Sequence, residues 1–254
     1  MYDASFQTIA LPNVPMVKAG DDIPQLILDG IDRIGTVVRD GDVIVIASKI
    51  ISKSEGRMVR LKDVRPGEEA IYVASVVDKD PRIVELILSE SRDISRMRQG
   101  VLITEHNLGF ISANSGLDAS NVNGFQDNVL LLPINPDKTA EKIRQRLKDL
   151  TGQKLAIVIT DTHGRPFRLG NVGIAIGVAG MPAVWDRRGE HDLFGREMVA
   201  TVLGYGDMVA SVAHLVMGEG AEGLPIVLIR GLQFPQEEGR ASDLNRPSNM
   251  DLYR

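Results

Sequence analysis

Acidic and hydroxyl side chains follow one of the most apolar runs of the sequence. The stretch AIVITDTHGRPFRLG, residues 156–170, opens with aliphatic residues typical of a buried strand and then presents Asp161, Thr162, His163 and Arg165. An aspartate and a threonine at the carboxyl end of a strand suit Mg²⁺, which binds few carboxylates and keeps water and phosphate oxygens. An aspartate that caps a turn before the next glycine explains the same residues equally well.

A second polar segment, ANSGLDASNVNG at residues 113–124, carries Asp118, Ser120 and Asn121. Asp118 could complete a cation site begun by Asp161, and Asn121 could donate a hydrogen bond to a nucleotide. A loop of this composition is also typical of a plain surface connection, so both interpretations stay open.

Basic residues follow another apolar run in SKIISKSEGR, residues 48–57, which contains Lys49, Lys53 and Arg57. Cations at this place lie where phosphates could approach a sheet edge. A solvated basic turn is the alternative interpretation.

The segment MGEGAEG, residues 217–223, has the spacing GxGxxG. It follows a helical pattern and precedes a strand, whereas the dinucleotide-binding fingerprint follows a strand and opens a helix. Helix capping explains Gly218 equally well. Glu219 is a third carboxylate, next to backbone N–H groups that could wrap a phosphate.

The elements that must position these residues alternate along the chain. Short apolar runs predict strands at residues 42–48, 100–106, 154–161 and 224–231. A helix is predicted to start at Asp137 as N-cap, to bury Ile143, Leu147 and Leu150 on one face, and to stop at Gly152. A second helical pattern runs from about Glu197 to Met217, ends at Gly218 and contains Gly204 and Gly206, which predict a kink or break. The fold class is therefore mixed α/β, with an irregular tail from about residue 233.

Composition narrows the function classes. The 254 residues suffice for one large domain or two small ones. With 34 acidic and 29 basic side chains the net charge is −5, which gives no reason to expect nucleic acid as a partner. Cysteine is absent, which excludes a thiolate nucleophile and a cysteine zinc site. No leader pattern and no apolar stretch of roughly 20 residues is present, so we expect a soluble, cytoplasmic protein without a membrane partner.

No Walker-type GxxxxGK[ST], HExxH or GxSxG motif occurs. The residues alone therefore lead no further than the hypothesis of a metal-dependent nucleotide enzyme.

The ordered set of VPMVKAGDD, ASKIISKSEGR, GLDASNV, LLLPINPDKTAEKIR, ITDTHGRPFRLG and MGEG resembles the coenzyme F420-0:L-glutamate ligase family over nearly the whole chain. This resemblance implies a ligase that uses GTP and a divalent metal to add L-glutamate to the deazaflavin precursor coenzyme F420-0 through an acyl phosphate. It also implies a single unit over residues 1–254 with mixed sheets, in which two interleaved subdomains form an intertwined homodimer.

The resemblance also assigns roles to residues. It places the divalent metal, Mg²⁺ or Mn²⁺ with K⁺ as a further candidate, on Asp118, Asp161, Thr162 and Glu219. It places GTP on Val14, Pro15, Met16, Val17, Ser48, Lys49, Lys53, Asn121 and the segment Met217, Gly218, Glu219, Gly220, Ala221, Glu222, Gly223 and Leu224. Asp118, Asp161 and Lys53 are the expected catalytic residues, and the substrates are coenzyme F420-0, L-glutamate and GTP.

Other roles stay open. Arg165 and Arg168 are candidates for holding a substrate carboxylate, or they are plain surface arginines. His163 is assigned no catalytic role. A metal-dependent nucleotide phosphohydrolase and a non-catalytic GTP-binding protein are the alternative functions.

Overall fold

The computed structural model describes residues 5–118 and 127–251. The strands are β1 (Gln7–Ala10), β2 (Val43–Ala47), β3 (Met58–Arg60), β4 (Ser91–Arg98), β5 (Val101–His106), β6 (Ile111–Ala113), β7 (Asn128–Leu130), β8 (Ala156–Arg165), β9 (Arg168–Ala179), β10 (Trp185–Asp186), β11 (Val202–Leu203) and β12 (Ile226–Arg230). The α-helices are α1 (Ile23–Arg33), α2 (Ser48–Ser54), α3 (Glu68–Val77), α4 (Pro81–Ser89), α5 (Pro136–Thr151) and α6 (Tyr205–Met217). The predicted mixed α/β class is confirmed.

The central sheet contains five strands in the order β1, β12, β2, β8 and β9. β2 and β8 run parallel, and the other neighbours run antiparallel. Helices cover both faces, so alternate residues of β2 and β8 enter two separate cores. The isoleucines pack with α1 and α5, and the valines pack with α6. This two-sided burial is why the strand sequences VIVIA and AIVI are continuously apolar.

A smaller unit is inserted between β2 and β8 in the chain. It contains α3, α4 and a three-stranded antiparallel sheet in the order β4, β5, β6. Residues of α3, α4 and β5 form their own apolar cluster. The antiparallel pair β3 and β7 joins the unit to the central part, so the chain leaves and returns through neighbouring strands.

Helix α5 corrects one predicted boundary. Asn135 is the N-cap and Pro136 the first residue, and the side chain of Asn135 accepts a hydrogen bond from the N–H of Lys138. Asp137, the predicted N-cap, lies inside the helix, where its carboxylate accepts hydrogen bonds from distant backbone N–H groups. Leu150 is largely exposed, so the prediction that it is buried is also wrong. The stop at Gly152 is confirmed, with a left-handed φ of 74°.

Helix α6 is shorter than the predicted segment. Val202 and Leu203 form β11, and Gly204 is the N-cap of a helix that begins at Tyr205. The predicted break at Gly204 and the end at Gly218 are confirmed. Among the helices of the described ranges, none is long and apolar enough to cross a membrane.

The carboxyl-terminal segment from residue 233 contains two short 3-10 helices, Ala241–Leu244 and Ser248–Met250. The N–H of Gly239 donates to the carbonyl of Met181, and the Asn245 amide donates to the carbonyl of Leu108. The segment therefore connects the end of β9 with the inserted unit.

Candidate active site at the carboxyl end of the central sheet

A cleft of about 1440 Å³ opens at the carboxyl ends of β2 and β8. Its walls come from the chain after β1, from α2, from the β6–β7 connection and from the loop between α6 and β12. It brings together predicted residues that lie far apart in sequence: Val14, Pro15, Met16, Val17, Ser48, Lys49, Lys53, Asp118, Asp161, Thr162 and the segment from Met217 to Leu224. The remaining predicted residue, Asn121, lies outside the described residues.

Asp161 lies at the point where one strand of the sheet stops. The last residues paired between β2 and β8 are Ala47 and Thr160, and β8 then continues to Arg165 with β9 as its partner. The alternative that Asp161 caps a turn is therefore wrong, because the residue is within a strand. β2 does not pair with this part of β8, and Asp161 lines the cleft there.

Two side chains orient that carboxylate. The Ser48 hydroxyl, at the start of α2, donates to Asp161 Oδ1 over 3.0 Å. His163 Nε2 lies 3.1 Å from Asp161 Oδ2. Since an ionised carboxylate only accepts hydrogen bonds, Nε2 carries the proton of this contact. Each carboxylate oxygen keeps a second lone pair that can face the cleft.

The basic residues of α2 are not a solvated turn. Lys49 Nζ forms an ion pair of 2.8 Å with Asp118 Oδ2. Lys53 is only 6% exposed. Burial lowers the pKa of Lys53, the nearby Lys49 lowers it further, and Asp118 partly opposes both effects. Burial and the charge of Lys49 disfavour the ammonium form, and an additional anion would stabilise it. This wall of the cleft therefore favours a negatively charged ligand.

Arg57, the third cation of the same sequence stretch, serves the scaffold. Its guanidinium pairs with Glu90 over 2.7 Å and donates to the carbonyl of Leu132 over 2.9 Å. These contacts join the end of α4 to the segment before α5. Arg57 therefore holds the inserted unit against the central part.

The glycine-rich segment follows α6 and precedes β12, as its sequence context predicts. Gly218 ends the helix with φ of 71°, a conformation that glycine adopts without strain. Glu219 contacts His214 of the preceding helix turn, with 2.8 Å between Oε1 and Nδ1. The N–H of Gly220 donates to the Glu222 carboxylate over 2.8 Å.

The donor chemistry of the cleft fits a hard divalent cation, because carboxylate oxygens from three separate elements line it. In the part of the chain that the structure describes, no three histidine or acidic side chains converge closely enough to hold an ion. A cation bound in the cleft would therefore need further oxygen ligands from water or from a bound molecule. Thr162, which follows Asp161 in β8, lines the same cleft.

Two histidines without a predicted role, His163 and His214, contact the predicted acidic residues. His163 is nearly buried, and its ring packs edge-on against Phe110 with 4.8 Å between ring centroids. His214 contacts Glu219 from α6. Only the first had a signal in the sequence, since residues two apart in a strand share a face. In contrast, Arg165 and Arg168 lie exposed at the tip of the β8–β9 hairpin.

A second cavity of about 1020 Å³ lies between β9, the start of α5 and the carboxyl-terminal segment. Among the described residues, none that is predicted to bind metal or nucleotide lines it. Two half-buried acids that line it accept backbone hydrogen bonds: Asp137 from the N–H of Val178, and Asp207 from the N–H of Ala175. Burial raises the pKa of Asp207. The two cations that line this cavity, Lys138 and Arg240, are exposed, whereas Lys53 of the first cleft is buried.

Comparison with known proteins gives consistent matches. The family model described as F420-0:Gamma-glutamyl ligase matches residues 12–231. The coenzyme F420:L-glutamate ligase of Methanothermobacter thermautotrophicus is 44% identical over 250 residues, covering 97% of this chain and 98% of that protein. The enzyme of the same name from Methanocaldococcus jannaschii is 47% identical over 217 residues, covering 85% and 86%. That of Methanopyrus kandleri is 41% identical over 255 residues, covering 97% and 98%.

Proposed function

Because this chain belongs to the F420-0:gamma-glutamyl ligase family, we propose that it is a coenzyme F420:L-glutamate ligase that uses GTP and a divalent metal. The observation that carries the proposal is the cleft at the end of β2 and β8. It combines a buried lysine with carboxylates from separate elements. This combination suits a metal-bound nucleotide and an acidic acceptor.

GTP would lie with its phosphates against α2. Lys53 would act as a point charge on a phosphate, and Lys49 would be available if a cation replaced it on Asp118. The glycine-rich segment from Met217 to Leu224 and the segment from Val14 to Val17 would form the walls around the nucleotide. The same proposal leaves Asn121 as a nucleotide ligand from the β6–β7 connection.

Asp118, Asp161 and Glu219 would hold Mg²⁺ or Mn²⁺, with Thr162 as a further ligand and K⁺ as an additional ion. Bound there, the cation would neutralise charge on the transferring phosphoryl oxygens and bring two anions together. Ser48 and His163 would keep the Asp161 carboxylate oriented toward it, since both contact that carboxylate. Lys53 would hold the phosphate chain from α2.

The reaction would proceed in two steps. A carboxylate oxygen of the acceptor attacks the γ-phosphorus of GTP, which releases GDP and gives an acyl phosphate. The amine of L-glutamate then attacks the acyl carbon, and the amide forms as inorganic phosphate and a proton leave. Activation is needed because a carboxylate would otherwise have to expel an oxide. The absence of cysteine excludes a thioester on the enzyme as the activated form.

An isotope experiment tests this function. Coenzyme F420-0 with heavy oxygen in its carboxylate is incubated with GTP, Mg²⁺ and L-glutamate, and product and phosphate are analysed by mass spectrometry. We expect one labelled oxygen in phosphate for each amide formed. Unlabelled phosphate with normal ligation would contradict the acyl phosphate. GTP hydrolysis that is independent of acceptor and glutamate would indicate a phosphohydrolase, and binding without turnover would indicate a GTP-binding protein.

We also propose a homodimer. Apolar side chains at the tip of the β8–β9 hairpin and between β10 and β11 are each 88% to 100% exposed, namely Phe167, Leu169, Leu193 and Phe194. Exposed apolar clusters of this kind favour contact with another protein surface. Light scattering should give twice the mass of 27.7 kDa for the wild type. The variant Leu193→Ser with Phe194→Ser should shift toward the monomer, and an unchanged dimer would remove these residues from the interface.

A further inference from the structure

His214 links an acidic residue of the cleft to the sheet beneath it. Its Nδ1 lies 2.8 Å from Glu219 Oε1, and its Nε2 lies 3.1 Å from the hydroxyl of Thr160. Thr160 is buried in β8 and directly precedes Asp161. A chain of two hydrogen bonds therefore joins Glu219 to the residue next to Asp161.

The backbone of β9 makes room for the His214 ring. A Cβ atom at Gly173 would lie 2.3 Å from His214 Cδ2 and 2.8 Å from the carbonyl oxygen of Ala210. No side chain fits at that distance, so the ring occupies a space that only glycine leaves free. The Ser211 hydroxyl donates to the Gly173 carbonyl over 2.8 Å and fixes helix and strand together.

Hydrogen-bond donors and acceptors determine which nitrogen faces Glu219. The Thr160 hydroxyl lies 2.8 Å from the Ile174 carbonyl, and it can donate its single proton there or to His214 Nε2. In either case an ionised Glu219 only accepts, so His214 Nδ1 must carry a proton on that contact. Glu219 Oε1 is thereby engaged, which leaves Oε2 able to face the cleft.

We propose that His214 is a positioning residue that holds Glu219 at a fixed place relative to Asp161, so that both carboxylates can serve one metal–nucleotide complex. This inference rests on the proposed function. Side chains that orient metal-binding carboxylates from behind are a common feature of metal sites, and their loss typically lowers metal affinity about 10- to 100-fold.

Two histidine replacements test the role, because asparagine places its amide nitrogen near Nδ1 and glutamine places it near Nε2. His214→Asn can still donate to Glu219, whereas His214→Gln can donate only toward Thr160. Mn²⁺ binding is measured by electron paramagnetic resonance with GTP present and the acceptor absent, and thermal unfolding is followed in parallel. We expect His214→Gln to weaken Mn²⁺ binding roughly tenfold or more, and His214→Asn to stay within about threefold of the wild type.

Gly173→Ala should displace the ring and reproduce the His214→Gln result. Leu215→Asn, at an exposed position of the same helix, serves as the matched control. Equal Mn²⁺ binding in His214→Gln and wild type, or equal losses in both histidine variants that follow their unfolding temperatures, would overturn the positioning role. Ligation by the wild type is assayed first, so its absence would reject the proposed function rather than the role of His214.

Discussion

The two ends of the parallel pair β2 and β8 use aspartate for opposite purposes. At the amino end, Asp42 is 1% exposed, and Arg230 binds it through two nitrogens at 2.8 and 2.6 Å. The N–H of Arg39 donates to the same carboxylate. At the carboxyl end, Asp161 borders an open cleft and contacts a serine hydroxyl and a histidine ring. Both oxygens of the Asp42 carboxylate are paired with a guanidinium, whereas the Asp161 carboxylate stays accessible from the cleft.

This contrast shows that the partner of an acidic residue, rather than its type, decides whether it can bind a cation. A bidentate arginine neutralises Asp42 and occupies both of its oxygens. The donors to Asp161 orient it without closing the cleft, and the ion pair that lines the same cleft, Lys49 with Asp118, is partly exposed. We therefore expect substitutions at the two ends to separate stability from ligation.

Asp42→Ala should have the largest effect, and it should act on stability. Removal of the carboxylate leaves the Arg230 guanidinium largely buried without its partner, which typically costs about 3 to 5 kcal/mol of unfolding free energy. Urea unfolding measures the loss. The ligation rate per folded molecule should not change, and a large fall in that rate would mean that the amino end also contributes to the reaction.

Asp161→Asn should show the reverse pattern. The change keeps the volume but removes the charge that would neutralise the metal, so we expect kcat/KM for ligation to fall about 10²- to 10³-fold, or about 3 to 4 kcal/mol. The unfolding free energy should change by less than about 1 kcal/mol, because the asparagine amide oxygen can still accept the Ser48 hydrogen bond. Near wild-type turnover at saturating Mg²⁺ would exclude Asp161 as a metal ligand.

The sequence predicted the elements whose signal is local. The apolar runs of β2, β8 and β12 identify strands because burial on both faces requires continuous aliphatic residues. Gly152 and Gly218 mark helix ends because each adopts a positive φ there. The N-cap of α5 was misplaced because Asn135 and Asp137 are both good caps, and the choice depends on Pro136 at the first helical position.

Contacts between distant segments could not be predicted in the same way. Asp42 and Arg230 lie far apart in the chain, and no local pattern pairs them. Lys53 looks like a residue of a solvated turn until the packing of α2 buries it. His214 reaches Glu219 and Thr160 only because β9 has Gly173 beneath the ring. Each of these roles is set by neighbours from another element.

His106 is a side chain whose charge is controlled by burial rather than by an ion pair. Its Nδ1 accepts from the N–H of Leu108, and its ring stacks on Phe110 at 5.0 Å. Burial is the main cause that lowers the pKa of His106 from 6.5 to about 4. His106 therefore stays neutral in the folded protein as the pH falls from 6.5 toward 4. In the unfolded chain, the same side chain gains a proton as the pH falls below 6.5.

The resulting stabilisation is fully present above pH 6.5 and is lost as the pH falls from 6.5 toward 4, by about 3 kcal/mol at most. In His106→Asn the amide oxygen can still accept from Leu108, but the side chain does not titrate. The free energy of unfolding, measured in urea at a series of pH values, should decrease less for the variant than for the wild type as the pH is lowered. Parallel pH curves for the two proteins would contradict a neutral, buried His106.

Lys53→Ala should give the smallest effect and should act on the nucleotide. The Lys53 ammonium is buried in the wall of the cleft, where burial and the nearby Lys49 lower its pKa. A phosphate anion would therefore stabilise its positive charge. We expect GTP affinity to fall about tenfold, or about 1.4 kcal/mol, with little change in affinity for coenzyme F420-0. Titration calorimetry with each ligand separately measures both values.

Lys53→Met keeps most of the apolar stem and should lose the same GTP affinity if charge is the cause, whereas the exposed Lys62→Ala should lose none. Equal GTP affinity in Lys53→Met and wild type would show that this lysine supports packing. The phosphates would then have to lie against another wall of the cleft.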